Sequence, residues 1–406
     1  MFTGRRALVP LYVASAILTL GEGSFQLLTP PYMHERDVAP VVIGTAVSAY
    51  GLVSLLLRIP AGAAYRTHRA WKLIAAGTTL SSVSFALLTL TAEPALLVLL
   101  VALEGAGFAI ASTANMAAVI ERRPEGGNAG SIMGWYTGSL GAGYALAGFF
   151  GGPLGDALGP RGAILVLAVV PLAAGLLLST IVQATAPERV AAEPRVAGAW
   201  WRDYRGLPGV VWLAFFVTLY INLVSGVVLT FFPIYGLAIG LTLTQIGFLQ
   251  GIHGTAAAAV RFLSGAVFRV VSYQRTLPLM VVLSGISVAA IGGVEFLPLL
   301  AVAWAALGLS RGLLRVASAA VVMDEAGDTD ARRGAASGVY LAGLDLGKIV
   351  GPLAGGLGAG SIGLRPTFLA ASVVFPLMYF ALAALVARRQ RPLHSTHGGE
   401  PAREAG

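Results

Sequence analysis

The stretch Arg58-Ile59-Pro60-Ala61-Gly62-Ala63-Ala64-Tyr65-Arg66-Thr67-His68-Arg69-Ala70-Trp71-Lys72 closes one apolar run and opens the next, and its pattern returns 203 residues later. At that offset Ile43-Gly44 falls on Ile246-Gly247, Arg58 on Arg261, Gly62 on Gly265, Arg66 on Arg269 and Lys72 on Arg275. An offset of 204 places Gly130 on Gly334, Gly134 on Gly338, Tyr136 on Tyr340, Gly143 on Gly347 and Gly151-Gly152 on Gly355-Gly356. One such match means little in a chain with 52 glycines. A constant offset means an internal duplication, and a duplication built from apolar runs predicts two similar bundles around an axis along the membrane normal.

Composition points the same way. Of 406 residues only 11% are charged and 56% are hydrophobic, with a mean hydropathy of +0.79. That is too little charge for a soluble surface and too much apolar content for disorder. There is no cysteine, so no disulfide framework. The net charge of +8 does not indicate nucleic acid, because the cations punctuate apolar runs instead of gathering on a polar domain.

Runs long enough to span a bilayer fall near 7–29, 41–62, 71–91, 95–118, 129–152, 162–184, 209–233, 243–266, 276–296, 298–322, 334–357 and 366–387. The predicted fold class is all-α integral membrane: twelve transmembrane helices as two pseudo-symmetric six-helix bundles. The domains are 1–185, a cytoplasmic linker at 186–208, a second bundle at 209–388 and a cytoplasmic tail at 389–406. Arg5-Arg6 before an apolar run resembles a signal peptide, but the run continues to Thr29 and is read as an uncleaved first span. With both termini inside, the inner segments hold 19 Lys and Arg and the outer loops three, Arg36, Arg161 and Arg365. Both termini are therefore expected to be cytoplasmic, in a multi-pass protein of the inner (cell) membrane. Ala199-Trp200-Trp201 in the linker reads as a short interfacial helix.

Twelve spans, two halves and a long central loop resemble the major facilitator superfamily of secondary transporters, specifically its twelve-span drug/proton antiporters. The family's Gly-x-x-x-Asp-Arg loop between spans two and three corresponds to Gly62 and the basic cluster after it, with Arg66 where the acid is expected. In span four the family's Arg is replaced by Val101, and Glu104-Gly105 follows. The efflux pattern Gly-x-x-x-Gly-Pro-x-x-Gly-Gly lacks its Pro in span five, at Gly143 to Gly152. It stands complete in span eleven as Gly347-Lys348-Ile349-Val350-Gly351-Pro352-Leu353-Ala354-Gly355-Gly356. The resemblance implies alternating access, with spans one, four, seven and ten lining a central cavity.

Ionisable residues inside a span are expensive and face a cavity or a partner. Six lie deep: Glu22, Glu104, Arg311, Arg315, Asp345 and Lys348. Glu22 and Glu104 reach similar depths in spans one and four, where two poorly solvated carboxyls can hold a proton; with Asp345 they form the expected proton-coupling set. Arg311 and Arg315 project from one face of span ten. Asp345 and Lys348 can pair with each other or with span ten. The surplus of cations there suits a carboxylate or phosphate. Ser15, Thr19, Glu22, Gln26 and Thr29 form a polar stripe on span one, and Thr218, Asn222 and Ser225 are its mates on span seven; both are read as cavity walls.

The expected substrate-binding set is Gln26, Asn115, Asn222, Arg311, Arg315, Lys348, Tyr136 and Tyr340. Arg58, Gly62, Arg66, Arg261, Gly347, Gly351 and Pro352 form the conformational set. Arg58 and Arg261 are expected to snorkel toward the cytoplasmic interface. A lone His253 in span eight reads as merely hydrogen-bonded. No His-Glu-x-x-His, P-loop or Gly-x-Ser-x-Gly occurs, and His394 and His397 sit in a polar tail, so no enzyme, catalytic residue, metal or cofactor is expected. The expected partners are a small-molecule substrate, protons and the lipid bilayer, with no nucleic acid, for a monomer. The expected function is proton-coupled export (antiport) of a small organic compound. The alternatives are an importer or facilitator of an organic anion, or a lipid or glycolipid flippase.

Overall fold

Twelve helices carry nearly all the residues that the computed structural model describes, which are 8–122, 129–184, 207–270, 273–325 and 330–390. They are α1 (Val9–His34), α2 (Pro40–Ala64), α3 (Ala70–Leu88), α4 (Pro94–Glu121), α5 (Ala129–Leu167), α6 (Val169–Ala184), α7 (Gly209–Ala238), α8 (Leu243–Val270), α9 (Tyr273–Gly293), α10 (Leu297–Glu325), α11 (Asp330–Ile362) and α12 (Leu364–Gln390). The α5 range holds two spans. At Gly159 the backbone turns to φ +69 and ψ 162, and the residues beyond it continue with α6 as the sixth span. Most of the 186–208 linker, with its Trp pair, and most of the 389–406 tail lie outside the described residues.

Nine stretches among the described residues are long and apolar enough to cross a membrane, and one of them, Gly134–Ala184, contains the fifth and sixth spans. The helices that fall short are α8 and α11. Both carry Gly, Gln, Thr and charged residues among their apolar ones. The chain is a multi-pass membrane protein. The α1 helix runs past its expected end at Thr29, through Pro30 and Pro31, to His34; both prolines are buried against neighbouring helices, which tolerate such residues in a span.

The duplication is visible in the turns. Asp37, between α1 and α2, has φ +57, and its mate at offset 203, Gly240 between α7 and α8, has φ +84. Gly159 (φ +69) and Gly363 (φ +88) are mates at offset 204. Left-handed backbone is rare outside Gly, Asn and Asp, so these shared conformations mark equivalent corners of the two bundles. Packing repeats too: α1 lies on α5 as α7 lies on α11, α2 on α4 as α8 on α10, and α3 on α6 as α9 on α12.

The halves meet chiefly along two seams, α2 with α11 and α5 with α8, with a smaller contact of α1 on α7. A Cβ on Gly44 would fall on the Pro352 carbonyl oxygen, and one on Gly356 would fall 2.7 Å from the Pro40 carbonyl. On the other side a Cβ on Gly247 would fall on the Gly148 carbonyl, and one on Gly152 on that of Leu243. Gly247 is the mate of Gly44, and Pro352 and Gly356 are the mates of Gly148 and Gly152. The two seams are therefore one contact made twice. Ser48 adds a hydrogen bond to the Ile349 carbonyl at 2.6 Å on the first seam. On the second, the Asp156 carboxylate accepts from the backbone N–H of Leu243 (2.9 Å) and Thr244 (2.8 Å).

Both seams run along the ends of these helices away from the chain termini. Toward the terminal side Leu56 and Ile59 on α2, Trp135 on α5, Leu263 on α8 and Leu341 on α11 are exposed. Among the described residues, the close contacts between the halves lie on the far side and at mid-depth.

Candidate functional site

At mid-depth, Glu22 on α1 and Glu104 on α4 face each other. Each is 1% exposed, and the two carboxyl groups lie within hydrogen-bonding reach of one another. Glu22 accepts from the Gln26 amide and is met by the Tyr50 phenol from α2. Ser81 on α3 donates a long bond, 3.5 Å, to Glu104. The second oxygen of each carboxyl has no other partner. Ionised carboxylates only accept, so the pair is a complete hydrogen-bonded unit only when one of the two carries a proton.

Across from the acids stand five cations. Lys348 on α11 lies within electrostatic reach of Arg58 on α2, of Asp345, and of Arg315 and Arg311 on α10. Arg261 on α8 lies beside Arg315, Arg311 and Tyr340. Among the described residues the ion pairs are Arg122 with Glu121 and Arg365 with Glu295, none of them in this cluster. The expected Asp345–Lys348 pair is not closed to ion-pair distance, and Arg58 and Arg261 turn toward the cluster instead of snorkelling to an interface.

The Arg311 guanidinium reaches His253 Nε2 at 3.2 Å. Guanidinium only donates, so this nitrogen is an acceptor and the imidazole is neutral. A small recess lined by Tyr220, Ser225, Ser284 and Leu307 opens beside Arg311.

Tyr144 on α5 stands between the two groups, 37% exposed, within reach of Glu22, Glu104, Arg58 and Arg311. Tyr144 is the repeat mate of Lys348, and both project into the space between the halves. Tyr50 is likewise the mate of His253: one touches the acid pair, the other the arginine. The duplicated scaffold thus holds equivalent polar positions in each half, filled with acids on one side and cations on the other. Tyr50 and Tyr144 were not singled out from the sequence, and the 203 and 204 offsets applied to His253 and Lys348 would have found them.

The polar stripes take another role. Ser15 and Thr19 are fully buried and donate to the main-chain carbonyls of Leu11, Ser15, Ala16 and Leu140. Thr218 donates to Phe215 and Tyr340 carbonyls and Asn222 to Thr218. Ser15, Thr19, Thr218 and Asn222 thus sit in packing seams, α1 on α5 and α7 on α11, whereas Ser225 lines the recess beside Arg311. Only Gln26 of the first stripe is exposed. Asn115 is fully buried, donating to Ser15 Oγ at 2.7 Å, with Tyr136 beside it; neither Asn115, Tyr136 nor Asn222 reaches open space. Tyr340 donates to the Arg315 carbonyl at 3.3 Å. A Cβ on Gly347 or Gly351 would meet α7 backbone, and Pro352 sits where α2, α7 and α11 meet.

Gly62 and Arg66 are exposed, and the Arg66 guanidinium donates to the Tyr65 carbonyl. With no acid at position 66, the loop is held by Glu121 of α4. Its carboxylate accepts from Tyr65 (2.7 Å) and Thr67 and pairs with Arg122 at 3.5 Å. Burial first, and then this carboxylate, push the Tyr65 phenol well above its ordinary value, so it stays a donor.

The Major Facilitator Superfamily model matches residues 11–328 and 271–406. No curated protein matches the chain. Among solved structures it is similar to a bacterial homolog of the human lysosomal transporter Spinster in an inward-facing, unoccupied conformation, at 16% identity and TM-score 0.77, covering 94% of this chain and 96% of that one. The occupied form of that homolog gives 14% identity and TM-score 0.75 over 94% and 96% of the two chains. The nucleoside transporter NupG gives 12% identity and TM-score 0.74 over 94% and 98%. At such identities the likeness establishes the fold: twelve helices in the major facilitator arrangement.

Proposed function

We propose that this chain, which belongs to the major facilitator superfamily and is a transporter and not an enzyme, couples substrate movement to protons through the Glu22–Glu104 pair. The observation that carries this is the facing of two buried carboxyls, each with an oxygen left without a hydrogen-bond partner. Opening the far side would part the seams, rehydrate the pair and let the proton exchange with the other compartment; a rocking motion of the halves supplies that alternation. With both termini read as cytoplasmic, the present state faces inward. Export of a small organic compound in exchange for protons is the direction favoured by the Gly347–Gly356 pattern of α11.

The test is transport into proteoliposomes driven by a pH gradient, using any compound that raises the melting temperature of the purified protein. Glu22→Gln and Glu104→Gln are expected to abolish the dependence on the gradient while leaving equilibrium exchange of the compound intact. Full gradient-driven transport by both variants would refute the assignment. Import or facilitated passage of an organic anion is the second reading, favoured by the five cations, and the direction of proton movement on adding substrate separates the two.

A further inference from the structure

We infer that the space between the halves takes a substrate bearing a doubly charged anionic group, a phosphate monoester or phosphonate, gripped by Arg58 from one half and by Arg311, Arg315 and Lys348 from the other. This rests on taking that space as the transport site, and it names the substrate class for it.

The first reason is charge without counter-charge. None of these four cations has a carboxylate within ion-pair distance among the described residues. Glu22 and Glu104 are turned toward each other, which leaves Asp345 as the acid within reach of Lys348. Arg311 is bonded to a neutral imidazole that cannot neutralise it. Like charges gathered in one place repel one another and are retained at a cost unless something binds there.

The second reason is donor supply. The buried Nε–H groups of Arg58 and Arg311 have no acceptor, and unfilled buried donors are uncommon enough to need a reason. One carboxylate fills one guanidinium fork. Three guanidinium groups and an ammonium offer more donors than its two oxygens can take, whereas a phosphoryl group presents three oxygens and two charges. The third reason is placement. Arg58 belongs to the first half and the other three to the second, so an anion among them ties the halves together and shifts the balance between the open and closed states.

The experiment is a melting and binding series on the purified full-length protein in detergent, at constant ionic strength and without a pH gradient. Its probes are phenyl phosphate, benzoate and benzyl alcohol. Phenyl phosphate should raise the melting temperature most, benzoate less and benzyl alcohol not at all. In Arg315→Gln and Lys348→Gln the half-saturating phenyl phosphate concentration should rise at least about tenfold, as expected for loss of a charge-assisted hydrogen bond. Lys348→Tyr, which installs the residue of the repeat mate, should behave likewise and guards against misfolding.

The ligand-free variants give a second readout. Removing one of several like charges should leave their melting temperature unchanged or higher, whereas removing one arm of a structural ion pair would lower it. Equal responses to all three probes, equal affinity in wild type and variants, or a lowered ligand-free melting temperature in all three variants would each overturn the inference. No result here depends on Glu22 or Glu104, so failure of the proton assignment is seen separately, in the transport assay.

Discussion

Among the described residues Asp156 is the one carboxylate that hydrogen-bonds across a seam, and its removal should open the far side. The N-terminus of α8 has four backbone N–H groups without intrahelical partners. Thr242 and Gln245 satisfy two of them reciprocally, Gln245 N to Thr242 Oγ1 at 3.2 Å and Thr242 N to Gln245 Oε1 at 3.0 Å, the geometry of a capping box. The remaining two, of Leu243 and Thr244, donate to Asp156. Half of the cap of α8 thus comes from the other half of the molecule.

Asp156→Ala deletes both acceptors. Because the site is exposed, water replaces them in part, and the loss is about 1–2 kcal/mol. That changes the ratio of closed to open molecules by roughly 5–30-fold. The chain has no cysteine, so spin labels at Glu93→Cys and Glu295→Cys, in exposed far-side turns of the two halves, report without background. Double electron–electron resonance should show a longer-distance population in Asp156→Ala that is minor in the parent. An unchanged distribution, or one shifted to shorter distances, would show that the seam is held by other contacts.

Gly247→Ala should act in the same direction and more strongly, because its methyl falls on the Gly148 carbonyl; overpacking of this kind costs about 1–3 kcal/mol. Gly44→Ala should match it on the α2–α11 seam, and the same labels read both. Asn115→Ala should lower stability by about 1–3 kcal/mol through loss of the buried bond to Ser15, seen in thermal melting, without altering affinity for any transported compound. Glu121→Ala should release the loop after α2, raising backbone hydrogen exchange over residues 65–70, because Tyr65 and Thr67 lose their shared acceptor. Unchanged protection there would mean the helices alone fix the loop.

The architecture was legible because duplication writes itself twice: the offsets linking Arg58 to Arg261 and Gly143 to Gly347 reappear as matched turns and matched seams. The deep charges were legible for a thermodynamic reason, since ionisable groups are scarce in spans unless something keeps them. Which face of a helix meets a cavity was not legible. Ser and Thr at helical spacing mark a face, but they can return their hydroxyls to their own carbonyls, and Ser15, Thr19 and Thr218 do so against a neighbouring helix. Arg58 and Arg261 misled for a related reason. A long side chain near a helix end reaches either the interface or the interior, and only the position of the opposite half decides. Tyr50 and Tyr144 were silent because aromatic residues are common in spans, and their partners lie on other helices.

The glycine seams have a consequence for speed. Where Gly44 meets Pro352 and Gly247 meets Gly148, the glycine on at least one side presents only its main chain to the other half. A glycine has no rotamers to freeze when the surfaces join and none to recover when they part. The entropy that makes ordinary side-chain interfaces sluggish to reassemble is largely absent. A surface that must be made and broken on every turnover is here built from the residue that loses the least side-chain freedom each time.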